Sequence, residues 1–474
     1  MYHPAMDGSS FGISLDRAGR LSLSEQIADG IRAAIRDGRL APGARLPSWN
    51  DLAAQLGVAR GTVRTAYERL SDGQFIVAAG AAGTRVARRP PAMRPDPEPA
   101  RAREALRAFP TGATQPVPFQ IGVPADDLFP TALWSRMLAQ AARDAAATPV
   151  GYPDARGEPK LRAEIAGYLA VARGFAFHPS QVFVTNGYAG AFGIAMRALH
   201  LHGARAWVED PGYPFARTAA AWAGLTCVPV PVDGEGLDVA AGIARAPDAR
   251  LALVTPGQQA PLGVTLSLDR RHALLDWAHA GDRWIVEDDY LGELQLARRA
   301  APALASMDGR RVIHIGTFSK TISPALRVGY LVVPLGVIGA VTEVVGTLDP
   351  APPPSVQLAV EAYMRDGHYL RHLRRMKRAY AERRDALGAA LTLLGIEHEA
   401  GGLAIRIQLP DGVDEASAAA AALAEGLSPL PMSPWYAAGV APRGGLLLGV
   451  TNVPAERAAD YAGQLWRIVQ RQVA

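Results

Sequence analysis

The chain has 474 residues, 49% hydrophobic and 20% charged, which suits two or three units with sizeable cores rather than one ordinary domain. A single cysteine, Cys227, excludes an intrachain disulfide framework and a cysteine-cluster metal site, and no metal is expected. No apolar run reaches the ~18 residues of a membrane span, and the opening MYHPAMDGSS has no charged-then-apolar leader pattern, so the expectation is a cytoplasmic protein with no membrane partner.

Net charge is +4 but uneven: residues 12–89 hold 12 Arg against 7 Asp and Glu. That excess suits a polyanion partner for the N-terminal part, although charge alone fits a solvated basic face equally well. Leu23, Ile27, Ile31 and Ile35 recur at i+4 spacing, the apolar stripe of a helix that Gly38 and Pro42-Gly43 terminate. In LPSWNDLAAQLGVARGTVRTAYERLSDGQFI, Ser48 caps a helix that turns Leu52, Ala53 and Leu56 inward, and Gly57 ends it. A second helix starts at Ala59 or Arg60, runs to about Leu70, and faces the core with Val63, Tyr67 and Leu70.

Two short helices around a glycine turn form the helix-turn-helix pattern, whose second helix enters the DNA major groove. Its outward residues are Arg60, Thr62, Arg64 and Thr65, with groups suited to guanine, thymine methyl or phosphate. Phe75-Ile-Val and Thr84-Arg85-Val86 flank a glycine-rich tip and predict a wing hairpin with Arg85 placed for a phosphate. Over residues 12–88 the stretch resembles the GntR family of winged-helix regulators, which implies a double-stranded DNA operator as partner. It departs from that family at Trp49-Asn50, where an Arg usually follows the LPS triplet.

Residues 89–118 are rich in Pro, Arg and Ala and read as a linker, with a short helical piece around residues 100–109. Beyond them, over residues 119–474, QVFVTNG, RAWVED, ALVTP, WIVEDDY, RVIHIGTFSK and GYLVVP read as buried strands alternating with helical stretches. That alternation predicts an α/β domain with a mostly parallel sheet and a ligand beyond the carboxyl ends of its strands.

The residues after those strands carry the chemistry. Lys320 in GTFSKTISPALRVGY follows a strand, and a desolvated lysine near a second cation can form a Schiff base. Thr317, Ser319 and Arg327 around it can hold a phosphate. Asp288 and Tyr290 sit two apart after another strand and so point the same way. A pyridoxal cofactor needs such a carboxylate against its ring nitrogen and gains from a donor to its phenolic oxygen. Gly187, Tyr188 and Ala189 open a helix whose N–H groups suit a phosphate. Tyr213 after a Pro-Gly turn can stack on a ring, and Gln258 or Gln259 can reach one. HYLRHLRRMKRAYAERR is a strongly basic helix that reads as a solvated or interface face, and Cys227 lies in an apolar strand-like segment as plain core.

In this order the pieces LFPTALW, VEDPGY, VTPGQQAPLG, EDDY and GTFSKTISPALRVGYLVVP resemble fold-type-I aminotransferases of the MocR subfamily, those fused to GntR domains. The resemblance implies pyridoxal 5′-phosphate as cofactor, Lys320 as Schiff-base lysine, Asp288 on the ring nitrogen, Tyr290 on the phenolic oxygen and Tyr213 stacked on the ring. It also implies a homodimer and leaves room for a small amino-compound effector. The sequence departs from the subfamily at Ala189-Gly190, Gln258-Gln259 and Leu291. In substrate-binding relatives an Arg near the C-terminal strand clamps a carboxylate; here the strand reads GGLLLGVTN, and Arg443 is the nearest candidate. A ligand-sensing regulator and a working aminotransferase carrying a DNA-binding domain both fit these residues.

Overall fold

The computed structural model describes residues 13–472 apart from 18, 20, 79, 81–82, 89, 91–115, 148–150, 175–176 and 297–301. Most of the expected linker, including the helical piece around residues 100–109, lies outside the described residues. The chain folds as two compact units, residues 1–102 and 103–474.

In the first unit, α1 (Leu23–Arg36) is closed by a capping box: Ser22 Oγ accepts from the Glu25 N–H and the Glu25 carboxylate accepts from the Ser22 N–H. Its inward stripe is Ile27, Ala28, Ile31 and Ala34, all fully buried. α2 (Trp49–Leu56) is capped by Ser48 and ends at Gly57, whose φ of 62° is the left-handed turn that glycine adopts without strain. α3 (Arg60–Asp72) runs two residues past Leu70, because Ser71 and Asp72 complete its last turn before Gly73. Val63, Ala66, Tyr67 and Leu70 face inward, and the Tyr67 hydroxyl donates to the Pro47 carbonyl. β1 (Ile76–Ala78) and β2 (Thr84–Val86) pair antiparallel as the expected hairpin, with Val77 opposite Arg85. Ile76 and Val86 turn into the same core as Ile27, Leu52 and Val63, so burial of a few large side chains at about 1.5–3 kcal/mol each joins helices to hairpin.

The second unit is built on an eight-stranded sheet in the order β3-β10-β9-β8-β7-β4-β5-β6. The expected strands are β3 (Val182–Thr185), β4 (Arg205–Asp210), β7 (Leu251–Val254), β8 (Trp284–Asp289), β9 (Val312–Thr317) and β10 (Gly329–Val332). β5 (Thr226–Asp233) carries Cys227, which is half-buried, and β6 (Gly236–Leu237) ends the sheet. β4, β5, β7, β8 and β9 run parallel; β10 runs against β9 and β3, and β6 against β5. β3, β7 and β10 are buried at every position, as expected of strands covered on both faces.

A second, antiparallel sheet has the order β11-β12-β14-β13, made of β11 (His398–Gly401), β12 (Ala404–Gln408), β13 (Leu430–Pro431) and β14 (Gly445–Gly449). Side chains alternate across β14. Leu446 and Leu448 pack with Leu387, Leu465 and Ile468 from two helices, whereas Leu447 packs with Trp435, Leu430 and Ala260. The basic stretch forms a long helix, His368–Leu393, with Tyr369, Met376, Tyr380 and Leu387 buried. Arg371, Arg374, Arg375 and Arg378 lie on its exposed face.

Candidate functional sites

In the first unit, α3 presents Arg60, Arg64 and Thr65 exposed and Thr62 half-buried, opposite the face that carries Val63 and Tyr67. Arg64 makes a 3.4 Å ion pair with Glu68 one turn on, and both side chains are more than half exposed. Such a pair is worth little, so Arg64 can leave it for another anion at small cost. Arg85 is half-buried and donates from Nη1 to the Gly43 carbonyl at 3.0 Å, which ties it to its own module as well as presenting it on the wing. Arg45 was not singled out from the sequence. It is exposed, bridges Arg85 in backbone register and lies against Gly83 beside the wing. Trp49 is 43% exposed at the first turn of α2, where the resembled family carries an arginine.

In the second unit, the parallel strands bring their carboxyl ends to one edge of the large sheet, where a cavity of about 360 Å³ opens. Tyr188, Tyr213, Asp288, Tyr290, Thr317, Ser319, Lys320 and Arg327 all line it. Asp288 and Thr317 lie at the ends of β8 and β9, and the others follow strands of the same direction except Arg327, which precedes the reversed β10 and so reaches the same edge. Gly187 abuts this wall without lining it: a Cβ there would lie 3.4 Å from the Arg327 guanidinium, and its φ is 73°. Ala189 is exposed on the same helical turn, outside the cavity lining.

Lys320 Nζ donates to the Gly122 carbonyl at 2.6 Å. Burial lowers its pKa to about 8; the Asp288 charge opposes that shift and Arg327 adds to it. Asp288 is enclosed by protein but keeps surface open to the cavity. Burial, Asp289 and Glu209 push its carboxyl well above the usual range, with Lys320 opposing. Burial likewise raises the hydroxyls of Tyr188, Tyr213 and Tyr290, which therefore stay protonated as donors. Tyr213 meets Tyr188 edge-on and is tilted against Trp435, with ring centroids 6.1 and 6.3 Å away. Thr317 Oγ1 donates to Ser319 Oγ and accepts from the Ser319 N–H, folding the hydroxyl turn before Lys320.

Behind Asp288, alternation along β8 turns Glu287 and Asp289 to the opposite face. Asp289 pairs with buried Arg173 at 2.8 Å, and Glu287 with buried His314 at 3.0 Å. Burial pushes His314 down, but the Glu287 carboxylate prevails and holds it above its ordinary value. Glu209 accepts from the Thr255 N–H, the Thr255 hydroxyl and the Gln259 amide; burial still raises its pKa to about 7.

The two glutamines do not line the cavity. Gln258 bonds the Tyr290 hydroxyl, and Gln259 is engaged by Glu209 and the Pro211 and Ala260 carbonyls. Arg443 is exposed on the turn before β14 and does not line the cavity either; the position of that strand that does is Leu447. Sequence reasoning passed over Gly122, Leu403 and Trp435, which also line it. Trp435 is held in place by Arg217, which donates to the carbonyls of Gly212, Pro434, Trp435 and Tyr436.

A helix-turn-helix module joined to an aminotransferase-like unit defines a transcription regulator of composite build. Residues 23–86 match the gntR family of bacterial regulatory proteins, and residues 117–428 match aminotransferase class I and II. The chain belongs to both, in the MocR arrangement of GntR-family transcription regulators. It is 36% identical over 381 residues to the probable rhizopine catabolism regulatory protein MocR of Rhizobium meliloti, covering 78% of this chain and 77% of that one. It is 35% identical over 432 residues to the transcriptional regulator TauR of Rhodobacter capsulatus, covering 86% and 88%. It is 34% identical over 373 residues to the pyridoxine biosynthesis regulator PdxR of Corynebacterium glutamicum, covering 77% and 79%. Among solved structures, the α-aminoadipate aminotransferase of Thermus thermophilus, complexed with N-(5′-phosphopyridoxyl)-L-leucine, aligns with a TM-score of 0.69 at 26% identity over 78% of this chain and 95% of that one. The class I and II aminotransferase fold typically binds pyridoxal 5′-phosphate.

Proposed function

We propose that this chain is a regulator whose DNA binding responds to pyridoxal 5′-phosphate, with or without a small amino compound. Residues 12–88 would read an operator, 89–118 would link, and 119–474 would sense, in a cytoplasmic homodimer whose two-fold symmetry matches paired half-sites. The observation that carries this is the single cavity that gathers Lys320, Asp288, Tyr290 and Tyr213 at the strand ends.

The cofactor fits these residues. When bound, it supplies an electrophilic carbonyl carbon and a ring that accepts electrons. Lys320, with a pKa near 8, keeps part of its amine neutral near neutral pH and so able to bond that carbon. Asp288, with its high proton affinity, is suited to share a proton with a ring nitrogen. Tyr290 stays protonated and would donate to the phenolic oxygen, and Tyr213 would offer its ring as a wall. Thr317, Ser319 and Arg327 line the cavity and would hold the phosphate, with backbone N–H groups of the helix that opens at Gly187, Tyr188 and Ala189 as further donors. On the DNA side, Arg60, Thr62, Arg64, Thr65 and Arg85 make the contacts. A ligand alters DNA binding only by favouring one arrangement of the protein over another.

The test is binding of the purified full chain to DNA taken from upstream of its own and neighbouring genes, across a salt series. Salt-sensitive, saturable binding is expected; its absence at low salt on all such fragments would reject the proposal.

A further inference from the structure

The charges lining the cavity are confined to one side. Among its lining residues the charged groups are Lys320, Asp288 and Arg327, all at the edge of the large sheet. Much of the remaining lining is apolar and includes Ile121, Ala260, Leu403, Trp435 and Leu447, with Gln120 and Thr451 as polar neighbours. Ile121, Ala260, Trp435 and Leu447 belong to one packed cluster in which Leu447 is 1% and Trp435 4% exposed.

Arg217, Arg406 and Arg443 do not line the cavity. Arg217 donates to four backbone carbonyls that hold the Trp435 turn. Arg406 lies across the strand pair from Leu447, but it is paired with Glu399 and does not line the cavity. Arg443 is exposed on its turn. Of the neutral groups, Thr451 directs its hydroxyl proton to the Val123 carbonyl.

We propose that the effector of this cavity is a primary amine with an apolar body and no carboxylate beside the amine, because Ile121, Leu403, Trp435 and Leu447 line the cavity with Lys320 and Asp288, and the cations among the described lining residues are Lys320 and Arg327. This rests on the cofactor reading above, in which Arg327 belongs to the phosphate. A carboxylate carried against these side chains loses its water and, among the described lining residues, meets no cation beyond Lys320 and Arg327. An alkyl or aryl body gains from the same desolvation.

The experiment uses the full chain loaded with pyridoxal 5′-phosphate and freed of unbound cofactor. It is titrated with two matched pairs: 2-phenylethylamine against L-phenylalanine, and n-butylamine against L-norvaline. The readout is the absorption band of the bound cofactor. Each amine is expected to reach half-maximal change at a concentration more than about tenfold below that of its amino acid. A ratio of tenfold or less overturns the proposal. In L447R the ratio is expected to shrink, because the carboxylate acquires a partner; an unchanged ratio in a variant that keeps its cofactor band also counts against it. The wild-type comparison is decisive by itself if L447R does not fold. Absence of any cofactor band in the wild-type chain would instead reject the cofactor reading. A band that responds best to amino acids leaves that reading standing and overturns only the amine class.

Discussion

Lys320 ties burial directly to reactivity. With an ordinary lysine pKa of 10.5, about 0.1% of the amine would be neutral at pH 7.5; with a pKa near 8 about a quarter is neutral, a gain of roughly 200-fold in reactive form. The rate of pyridoxal phosphate capture by the cofactor-free protein should therefore climb about tenfold per pH unit only up to about pH 8 and then flatten. Stopped-flow absorbance between pH 6 and 10 measures this, with N-acetyl-lysine in the same buffers to divide out the titrations of the cofactor itself. A protein rate still parallel to the reference at pH 9.5 would refute the argument that burial sets this pKa. Stability moves with it. Between about pH 8 and 10.5 the unfolded chain binds more protons at this lysine than the folded one, so the cofactor-free protein gains stability as pH rises through that window. Below it the full penalty persists, and Lys320→Met should relieve up to about 3 kcal/mol there, read as a higher unfolding midpoint.

Three further outcomes follow from the same geometry. Asp288→Asn removes the only carboxylate among the described cavity-lining residues and should weaken cofactor binding at least about tenfold in a spectral titration; an unchanged affinity would remove Asp288 from the site. Ile31→Ala empties a fully buried position of the first unit and should cost about 2–4 kcal/mol, abolishing DNA binding while the cofactor band persists; loss of the band as well would show that the second unit does not hold its fold when the first is destabilised. Arg64→Ala breaks only an exposed ion pair, so stability should change by less than about 1 kcal/mol. Operator affinity should nonetheless drop by about 1–3 kcal/mol if Arg64 reads a base, and an unaltered isotherm would exclude Arg64 from the interface.

The legible parts of this fold were those with strong local signals. The stripe of Ile27 and Ile31, the Ser48 cap and Gly57 each act within a turn or two of chain, and α1 to α3 formed where they pointed. The six buried strands were readable because both faces are covered and the apolar runs are continuous. The second sheet was not, apart from β14: β13 is two residues long and β11 is partly exposed, so neither carries an apolar run. The strand-end residues of the cavity were reachable because topology alone sends them to one edge. Gly122, Leu403 and Trp435 were not, because they arrive from segments remote in sequence and have no chemical signature of their own. Arg443 stood near β14 in sequence, yet the turn directs it outward and Leu447 takes the inward position.

In the proposed function the cofactor cavity and the DNA-binding module act as one switch. Its most direct measurement is the affinity of the full chain for its operator at fixed salt, with and without pyridoxal 5′-phosphate, for the wild type and for Lys320→Ala. The isotherms are expected to separate when the cofactor is added to the wild type and to coincide for the variant. Wild-type isotherms that overlay with and without bound cofactor, under conditions where the absorption band shows the cavity to be filled, would contradict it.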